Sequence, residues 1–259
     1  MELRPCIDIH NGKVKQIVGG TLSDRGDSAA ENFVSDRNAA YFAELFKKDK
    51  VTGGHVILLN GKASPYYEVT RQQALLALQT YPGGLMVGGG ITDENAAGYI
   101  DAGASHVIVT SYVFREGMID HERITLLKKV VGREHLVLDL SCRRRGSDYY
   151  IMTDRWQTFT QTPLSPALLE RLTEDCDEFL IHGIDSEGRA AGIDEELIRL
   201  LDAVRGFPMT YAGGIASYDD IETIRRLTGG HMDITIGSAL SLYGGALDYH
   251  DVLRVCREG

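Results

Sequence analysis

The chain has 259 residues, a hydrophobic fraction of 43% and a formal net charge of −10 at pH 7, values typical of a globular protein with a substantial core. The negative charge argues against a broad nucleic-acid or anionic-membrane surface, although backbone N–H groups could still form a small anion pocket. No apolar run approaches the roughly 20 residues of a membrane span, no secretory signal is evident, and no Cys-x-x-Cys spacing occurs. We therefore expect a cytoplasmic protein that acts without nucleic acid or membrane.

Short apolar runs alternate along the whole chain with segments of helical periodicity. We predict strands at residues 4–9, 55–59, 84–88, 106–110, 135–140, 178–182, 208–212 and 232–236. We predict helices at residues 36–49, 66–80, 93–102, 120–131, 166–175, 194–205, 218–227 and 247–257. Two helix starts carry local signals, because Ser165 precedes Pro166 and Ser217 precedes Asp220 at the spacing of a capping box.

Eight successive strand–helix units indicate an all-parallel sheet covered by helices. At about 250 residues such a sheet commonly closes into a (β/α)8 TIM barrel, and we predict one barrel domain over residues 1–259. An open, doubly wound sheet is the alternative fold. We prefer the barrel because the two halves of the sequence repeat with four units each, and two half-barrels close naturally.

Two long insertions follow predicted strands. Residues 19–36 form a polar stretch, and residues 141–163 contain the run Arg143–Arg145 and then an alternation that predicts a small hairpin. Because both follow strands, both would lie at the carboxyl face of a barrel, where long loops serve as lids or binding loops. The arginine run fits a solvated cationic loop, and a direct role for it or for residues 19–36 stays open.

Two aspartates close apolar runs at matching places in the two halves of the chain. Asp8 ends the first predicted strand and Asp139 ends the fifth. In a barrel they would stand across the mouth from each other, an arrangement suited to paired general acid and general base catalysis. The alternative is that each aspartate caps a loop or pairs with a nearby cation.

Turns of small residues also repeat after matching strands. Glycine lets the backbone approach an anion closely, and barrels often hold phosphate in the loops after their last two strands. We therefore predict two anion sites, so that the substrate would carry an anionic group at each end, although ordinary tight turns are the alternative. The first set is Gly89, Gly90, Thr110 and Ser111, and the second is Gly213, Gly214, Gly237 and Ser238.

Two further side chains could serve the same site. His182 ends the sixth predicted strand, where a catalytic and a structural role are equally plausible. Trp156, the only tryptophan, could stack on a heteroaromatic ligand or simply pack its loop onto the barrel. The other histidines lack metal-ligand spacing and no nucleotide-binding or hydrolase motif occurs, so we predict acid–base chemistry with no metal and no cofactor.

Taken together, the motifs resemble a known family. They are the segments Ile7–Val14, Val87–Ile91, Val137–Asp139, His182–Gly188, Ala212–Ile215 and Ile236–Ala239. In this order, and over residues 3 to 256, they resemble the histidine-biosynthesis isomerases that act on phosphoribosylformimino-aminoimidazole-carboxamide ribotide (ProFAR), in the form seen in fungi and plants.

The resemblance implies an Amadori rearrangement of a bisphosphate substrate from an aminoaldose to an aminoketose, with no obligate protein partner. It implies that Asp139 is the general acid, that Asp8 is the general base and that Trp156 stacks on the imidazole-carboxamide ring. It further implies one phosphate site at Gly90 and Ser111, and a second at Gly214, Gly237 and Ser238.

Some features depart from the family pattern, and other functions stay open. Bacterial members carry Thr-Asp where this chain has His182-Gly183, and they favour an Asp-rich sequence where it has Asn60, which makes Asn60 a weak site candidate. The rivals are the sister barrel cyclase of the same pathway, an isomerase that also accepts phosphoribosylanthranilate, and a non-catalytic sugar-phosphate-binding barrel. Loss of one aspartate would mark the last of these, and both aspartates are present.

Overall fold

Eight parallel strands follow one another around a barrel in the computed structural model, which describes residues 1–17, 21–22, 29–186 and 192–258. They are β1 (Cys6–His10), β2 (Gly54–Leu58), β3 (Leu85–Gly88), β4 (His106–Val109), β5 (Leu136–Asp139), β6 (Glu178–His182), β7 (Met209–Ala212) and β8 (Asp233–Thr235). Each pairs in parallel with the next in the chain. The eight predicted strands are confirmed.

Hydrogen bonds between the two ends of the sheet close the barrel. The N–H of Arg4 donates to the carbonyl of Ile234 at 2.8 Å, and the N–H of Ile234 donates to the carbonyl of Glu2 at 3.0 Å. These bonds set β8 beside the residues that precede β1. The predicted (β/α)8 barrel is therefore confirmed, and the open doubly wound sheet is excluded.

One helix follows each barrel strand. The helices are α1 (Ala39–Lys48), α2 (Tyr67–Thr80), α3 (Ala96–Asp101), α4 (His121–Val131), α5 (Pro166–Leu172), α6 (Glu195–Leu201), α7 (Tyr218–Thr228) and α8 (Tyr249–Glu258). Helix α6 ends at Leu201, before the predicted residue 205. The prediction was too long because the apolar stripe indicates which residues are buried, and burial continues past the end of the helix to Val204. Within the described ranges, no helix is both long and apolar enough to cross a membrane.

Both predicted helix caps are present. Ser165 accepts a hydrogen bond from the N–H of Leu168 at 3.3 Å, directly before the N1 proline of α5. Ser217 and Asp220 form a reciprocal capping box at the start of α7. These bonds satisfy backbone donors that the first helical turn leaves without partners.

Apolar side chains occupy two layers, one inside the barrel and one between the strands and the helices. Met86, Ile108, Val137 and Leu180, from four neighbouring strands, form the inner cluster, and Ile57 packs against it. The much larger outer cluster joins the opposite faces of the strands to the helices. Because side chains alternate along a strand, each barrel strand divides its residues between the two layers.

Antiparallel strands extend the barrel after β1, where the sequence predicted only a polar insertion. Residues Lys13–Ile17 pair with β1 and with Glu31–Val34. The intervening turn has Asn11 at φ 52° and Gly12 at φ 74°, and Asn-Gly flanked by apolar alternation is a hairpin signal that the sequence interpretation missed. Residues 19–20 and 23–28 of the predicted 19–36 insertion lie outside the described part of the chain, as do Glu187 and Gly188 of the sixth-strand motif.

A separate three-stranded antiparallel sheet follows β5. Its strands are Cys142–Arg145, Asp148–Thr153 and Thr158–Pro163. The predicted small hairpin was wrong in its number of strands, because the third strand carries mostly polar residues and has weak apolar alternation. Both halves of the barrel thus attach antiparallel strands after their first parallel strand.

Candidate active site

The two aspartates lie at the carboxyl ends of strands that are four positions apart in the eight-stranded barrel. Ile7 and Ile9 belong to the outer cluster, so Asp8 between them faces the barrel interior. Val137 belongs to the inner cluster, so Asp139, two residues later, also faces the interior. Both carboxyl groups are half-buried. The structure therefore places two partly exposed carboxyl groups at opposite sides of one barrel mouth.

Three hydrogen-bond donors orient the carboxyl group of Asp139. The hydroxyl of Thr110 donates to Oδ2 at 3.1 Å, and the N–H of Ser141 donates to Oδ1 at 2.9 Å. The hydroxyl of Ser141 also donates to Oδ1. Thr110 was predicted as part of an anion site, but its hydroxyl bonds to the aspartate in this structure.

His182 is connected to Asp139 through Ser141. The hydroxyl oxygen of Ser141 lies 3.0 Å from the ring nitrogen Nδ1 of His182. The backbone N–H of His182 donates to the same oxygen at 3.2 Å. This contact is possible because β5 and β6 are neighbours in the sheet. The structure thus joins three side chains from two strands in one hydrogen-bonded group at the mouth.

Asp8 has a different partner from the first half of the chain. The side-chain amide of Gln16 donates to Oδ2 of Asp8 at 3.3 Å, and it also contacts Sγ of Cys6 at 3.4 Å. Gln16 is buried in the strand that folds back on β1. Gln16 and Ser141 were both missed from sequence. The bond from the N–H of Ser141 to Asp139 is an Asx turn, which aspartate favours but which the sequence does not identify by itself.

The predicted glycine turns have the same backbone conformation in the two halves. Gly89 and Gly213 have φ values of 100° and 120°, and Gly90 and Gly214 have values of 68° and 75°. A Cβ atom on Gly89 would lie 2.1 Å from the carbonyl oxygen of Leu58, and one on Gly213 would lie 2.7 Å from a carbonyl oxygen as well. Only glycine fits at Gly89 and Gly213, because both the torsion angle and the close backbone exclude a side chain there.

The remaining predicted anion-site residues lie in the loops after β4 and β8. The hydroxyl of Ser111 accepts a hydrogen bond from the N–H of Asp154 at 2.9 Å, so it contacts the sheet that follows β5. Gly237 accepts from the N–H of Leu240 at 3.0 Å, and with Ser238 it forms a turn before a short 3-10 helix at Ser241–Tyr243. These residues thus lie in the loops after β7 and β8, the position at which barrels often hold phosphate.

Trp156 packs on His182 at the mouth of the barrel. The two ring centroids are 5.1 Å apart, with an interplanar angle of 48°. Trp156 belongs to a turn in which three successive non-glycine residues, Asp154–Trp156, have positive φ. The side chain of Gln157 next to this turn donates to the carbonyl of Leu22 at 2.9 Å, so loops from both halves meet here. Such a turn is uncommon for L-residues and depends on its surroundings to hold it.

Asn60 lies outside this group. Its side-chain carbonyl accepts from the N–H of Asn11 at 2.8 Å and from the hydroxyl of Thr70 at 2.7 Å, and its amide donates to Asn11 at 2.7 Å. Asn60 is buried. It joins the turn after β1 to the start of α2, which is a structural role.

The arginine run after β5 is ion-paired. Nε of Arg143 lies 3.1 Å from Asp185, and Arg144 pairs with Glu196. The guanidinium group of Arg145 lies 5.7 Å from the ring centroid of Phe159. The interpretation as a solvated loop is therefore incomplete, because Arg143 joins the three-stranded sheet to the loop after β6 and Arg144 joins it to α6.

Residues 2–248 match the protein family described as Histidine biosynthesis protein. The chain belongs to this family. No group of three or more His, Cys, Asp or Glu side chains suited to holding a metal occurs within the described part of this family member.

Several relatives in the family carry the same enzyme name. A chloroplastic 1-(5-phosphoribosyl)-5-((5-phosphoribosylamino)methylideneamino) imidazole-4-carboxamide isomerase from Medicago truncatula is 51% identical over 98% of this chain and 81% of its own length. Isomerases of that name from Neurospora crassa and Saccharomyces cerevisiae are 45% and 41% identical, each over 93% of this chain. They cover 93% and 92% of their own lengths, so the similarity extends through the whole barrel.

Proposed function

We propose that this chain is the isomerase of histidine biosynthesis that converts ProFAR, an aminoaldose, into its phosphoribulosyl isomer, an aminoketose. The observation that supports it most directly is the pair of inward-facing carboxyl groups on opposite strands of one barrel mouth. Family membership and the enzyme name shared by relatives at 41–51% identity support the same reaction. Fold alone would not, because TIM barrels carry many unrelated activities.

Ring opening would be the first chemical step, with Asp139 as the general acid. Its proton goes to the furanose ring oxygen as the bond between that oxygen and C1 breaks, and the amine nitrogen forms a double bond to C1. The donors from Thr110 and Ser141 support this role, because they hold the carboxyl group in one orientation.

Proton removal from C2 would follow, with Asp8 as the general base. The electron pair of the C2–H bond forms the C1=C2 bond while the electron pair of the C1=N bond returns to nitrogen, which gives an enolamine. The enolamine tautomerises to the C2 ketone as C1 gains a proton and the C2 hydroxyl loses one. No atom is gained or lost overall, so the reaction consumes no external oxidant or reductant. The placement of Asp8 on the strand opposite Asp139 fits a base acting from the other side of the sugar.

The repeated turns would bind the two ends of the bisphosphate substrate. Gly89, Gly90 and Ser111 are proposed for one phosphate, and Gly213, Gly214, Gly237 and Ser238 for the other. Thr110 would act on Asp139 instead, since its hydroxyl bonds to that carboxyl group. Support for the two sites comes from the matching positive φ values, which give the two halves the same turn. At Gly90 a Cβ atom would meet no atom within 4 Å, so the backbone there is accessible to an anion.

Trp156 and His182 would contact the middle of the substrate. We propose that the Trp156 ring stacks on the imidazole-carboxamide and that His182 lies beside the opened sugar. The chain is further proposed to act as a single barrel domain in the cytoplasm without an obligate protein partner. The chloroplastic relative makes an organellar location the alternative for this protein.

Turnover of defined substrates by the purified protein tests the proposal. We expect conversion of ProFAR to the aminoketose, followed by NMR of the sugar carbons, with no added metal or nucleotide. Reaction of the aminoketose with ammonium salts, with carbon–nitrogen cleavage and ring closure, would instead indicate the sister cyclase. Turnover of phosphoribosylanthranilate would show a dual-substrate isomerase, and binding of ProFAR without turnover would contradict catalysis.

A further inference from the structure

Ser141 occupies the contact between the proposed general acid and a histidine whose role the sequence left open. Its side chain has no exposed surface. Its hydroxyl oxygen contacts Oδ1 of Asp139, Nδ1 of His182 and the N–H of His182. A buried hydroxyl between two titratable side chains constrains which of them carries protons at the shared contact.

Counting protons assigns the tautomer of His182. A serine hydroxyl has one proton to donate and two lone pairs to accept with. When Asp139 is a carboxylate, the hydroxyl proton goes to Asp139. One lone pair of the hydroxyl oxygen then accepts a hydrogen bond from the backbone N–H of His182 at 3.2 Å. The other lone pair faces Nδ1 of His182 at 3.0 Å, so Nδ1 must be the protonated ring nitrogen.

We propose that Ser141 is a positioning residue that orients Asp139 and holds neutral His182 with its proton on Nδ1. Nε2 of His182 then faces away from Ser141 beneath Trp156 as a hydrogen-bond acceptor. An acceptor there suits a hydroxyl group of the opened sugar. This last part rests on the proposed function, whereas the tautomer follows from the hydrogen bonds of the protein alone.

The tautomer is tested by NMR of the imidazole nitrogens in the intact protein without substrate. At about pH 9, above the ordinary histidine pKa of about 6.5, two-bond proton–nitrogen correlations distinguish Nδ1–H from Nε2–H rings. The His182 signals are identified by their loss in His182→Gln. We expect Nδ1–H in the wild type and a shift towards Nε2–H in Ser141→Ala. An Nε2–H ring in the wild type, or no change in Ser141→Ala, would overturn the proposal.

Kinetics test the positioning role. We expect Ser141→Ala to lower kcat about 10- to 100-fold, since it removes a hydrogen bond to a charged group. Its KM should rise less than that of His182→Asn, because Nε2 of an Nε2–H ring can still donate to a substrate hydroxyl. Ser141→Thr, which keeps the hydroxyl, should recover most of kcat. The matched control is Ser105→Ala, which removes a half-buried hydroxyl that bonds to the Leu85 carbonyl at the other end of the barrel. Equal losses in Ser141→Ala and Ser105→Ala would contradict the role.

The variant His182→Asn separates the roles of the two ring nitrogens. An asparagine amide can reach the place of Nδ1, whereas a glutamine amide can reach the place of Nε2. His182→Asn should keep the bond to Ser141 and lose the substrate contact, so its KM should rise while kcat falls less than in Ser141→Ala. A KM equal to that of the wild type would overturn the substrate contact of Nε2. A wild-type protein with the Nδ1–H ring but no isomerase activity would contradict the proposed function and leave the tautomer assignment intact.

Discussion

The two halves of the barrel have the same backbone at their glycine turns but different side chains around their aspartates. Gly89 and Gly213 repeat one conformation, as do Gly90 and Gly214. Asp139 receives hydroxyl and backbone donors, whereas Asp8 receives an amide from an antiparallel strand. A substrate with a phosphate at each end needs two similar grips and two dissimilar catalytic groups. The two halves meet that need, because their glycine turns are alike whereas the hydrogen-bond partners of their aspartates differ.

Removal of each carboxylate should have the largest effect. Asp8→Asn and Asp139→Asn are each expected to lower kcat by at least about a hundredfold, the scale of general acid–base contributions, because the amide cannot exchange the proton. Steady-state turnover of ProFAR measures this loss. Circular dichroism should show unchanged folding.

Substrate binding is the control for both aspartate variants. Calorimetry should detect ProFAR binding in Asp8→Asn and Asp139→Asn, because the proposed phosphate sites lie in other loops. Near-normal kcat in either variant would remove that aspartate from the mechanism. Loss of binding in both would show instead that the carboxylates hold the substrate.

Alanine at the repeated glycines should destabilise the two halves unequally. Gly89→Ala places Cβ 2.1 Å from a backbone carbonyl oxygen, and Gly213→Ala places it 2.7 Å from one. We expect losses in the free energy of unfolding of about 4 kcal/mol and about 3 kcal/mol, measured by urea denaturation. Gly90→Ala is the matched control, since it has a positive φ but no neighbouring atom within 4 Å, and about 1 kcal/mol is expected. Equal losses in all three variants would show that torsion strain alone decides the cost.

Two buried titratable groups, at the amino-terminal ends of β2 and β6, should make the free energy of unfolding depend on pH in opposite directions. Desolvation lowers the pKa of His55 to about 3, with smaller electrostatic contributions from His182 and Arg4 in the same direction. Between about pH 6.5 and 3 the unfolded state binds more protons at His55, so stability falls as pH falls. From pH 6.5 to 4, we expect wild type to lose on the order of 3 kcal/mol more than His55→Gln in urea titrations. Parallel pH profiles would contradict this.

Glu178 provides the opposing comparison. Burial raises the pKa of Glu178, against the attraction of Arg4 and a hydrogen bond from Thr210. A raised carboxyl pKa contributes stability below the unfolded value, and that contribution is lost as pH rises. Glu178→Gln should therefore gain stability relative to wild type as pH rises above about 4.5. The same pH trend in both variants would show that the two groups do not differ as inferred.

The smallest expected effect lies at the equivalent helices that follow β3 and β7. Helix α7 starts with the Ser217–Asp220 capping box, whereas α3 starts at Asn95 with no side-chain capping bond. Ser217→Ala should lower the free energy of unfolding by about 1 kcal/mol, measured by thermal denaturation. Ser217→Asp is the control and should stay close to wild type, because aspartate also caps. No loss in Ser217→Ala would show that packing holds this helix start.

Much of the fold was predictable because its signals are local. Short apolar runs located all eight barrel strands, and helical periodicity located the eight helices, with errors mainly where burial continues past a helix end, as at Val204. The antiparallel strands were harder to predict. Their pairing depends on a short Asn-Gly turn in one case and on mostly polar residues in the other.

By itself the sequence determined the alternation of strands and helices, the strand-end aspartates and the glycine turns, because periodicity and backbone torsion preferences act over a few residues. Only the tertiary structure decided that Ser141 lies between Asp139 and His182, that Gln16 contacts Asp8 and that Trp156 packs on His182. Those contacts join residues distant in the chain or on different loops. They exist only once strand order and register bring the side chains within hydrogen-bonding distance.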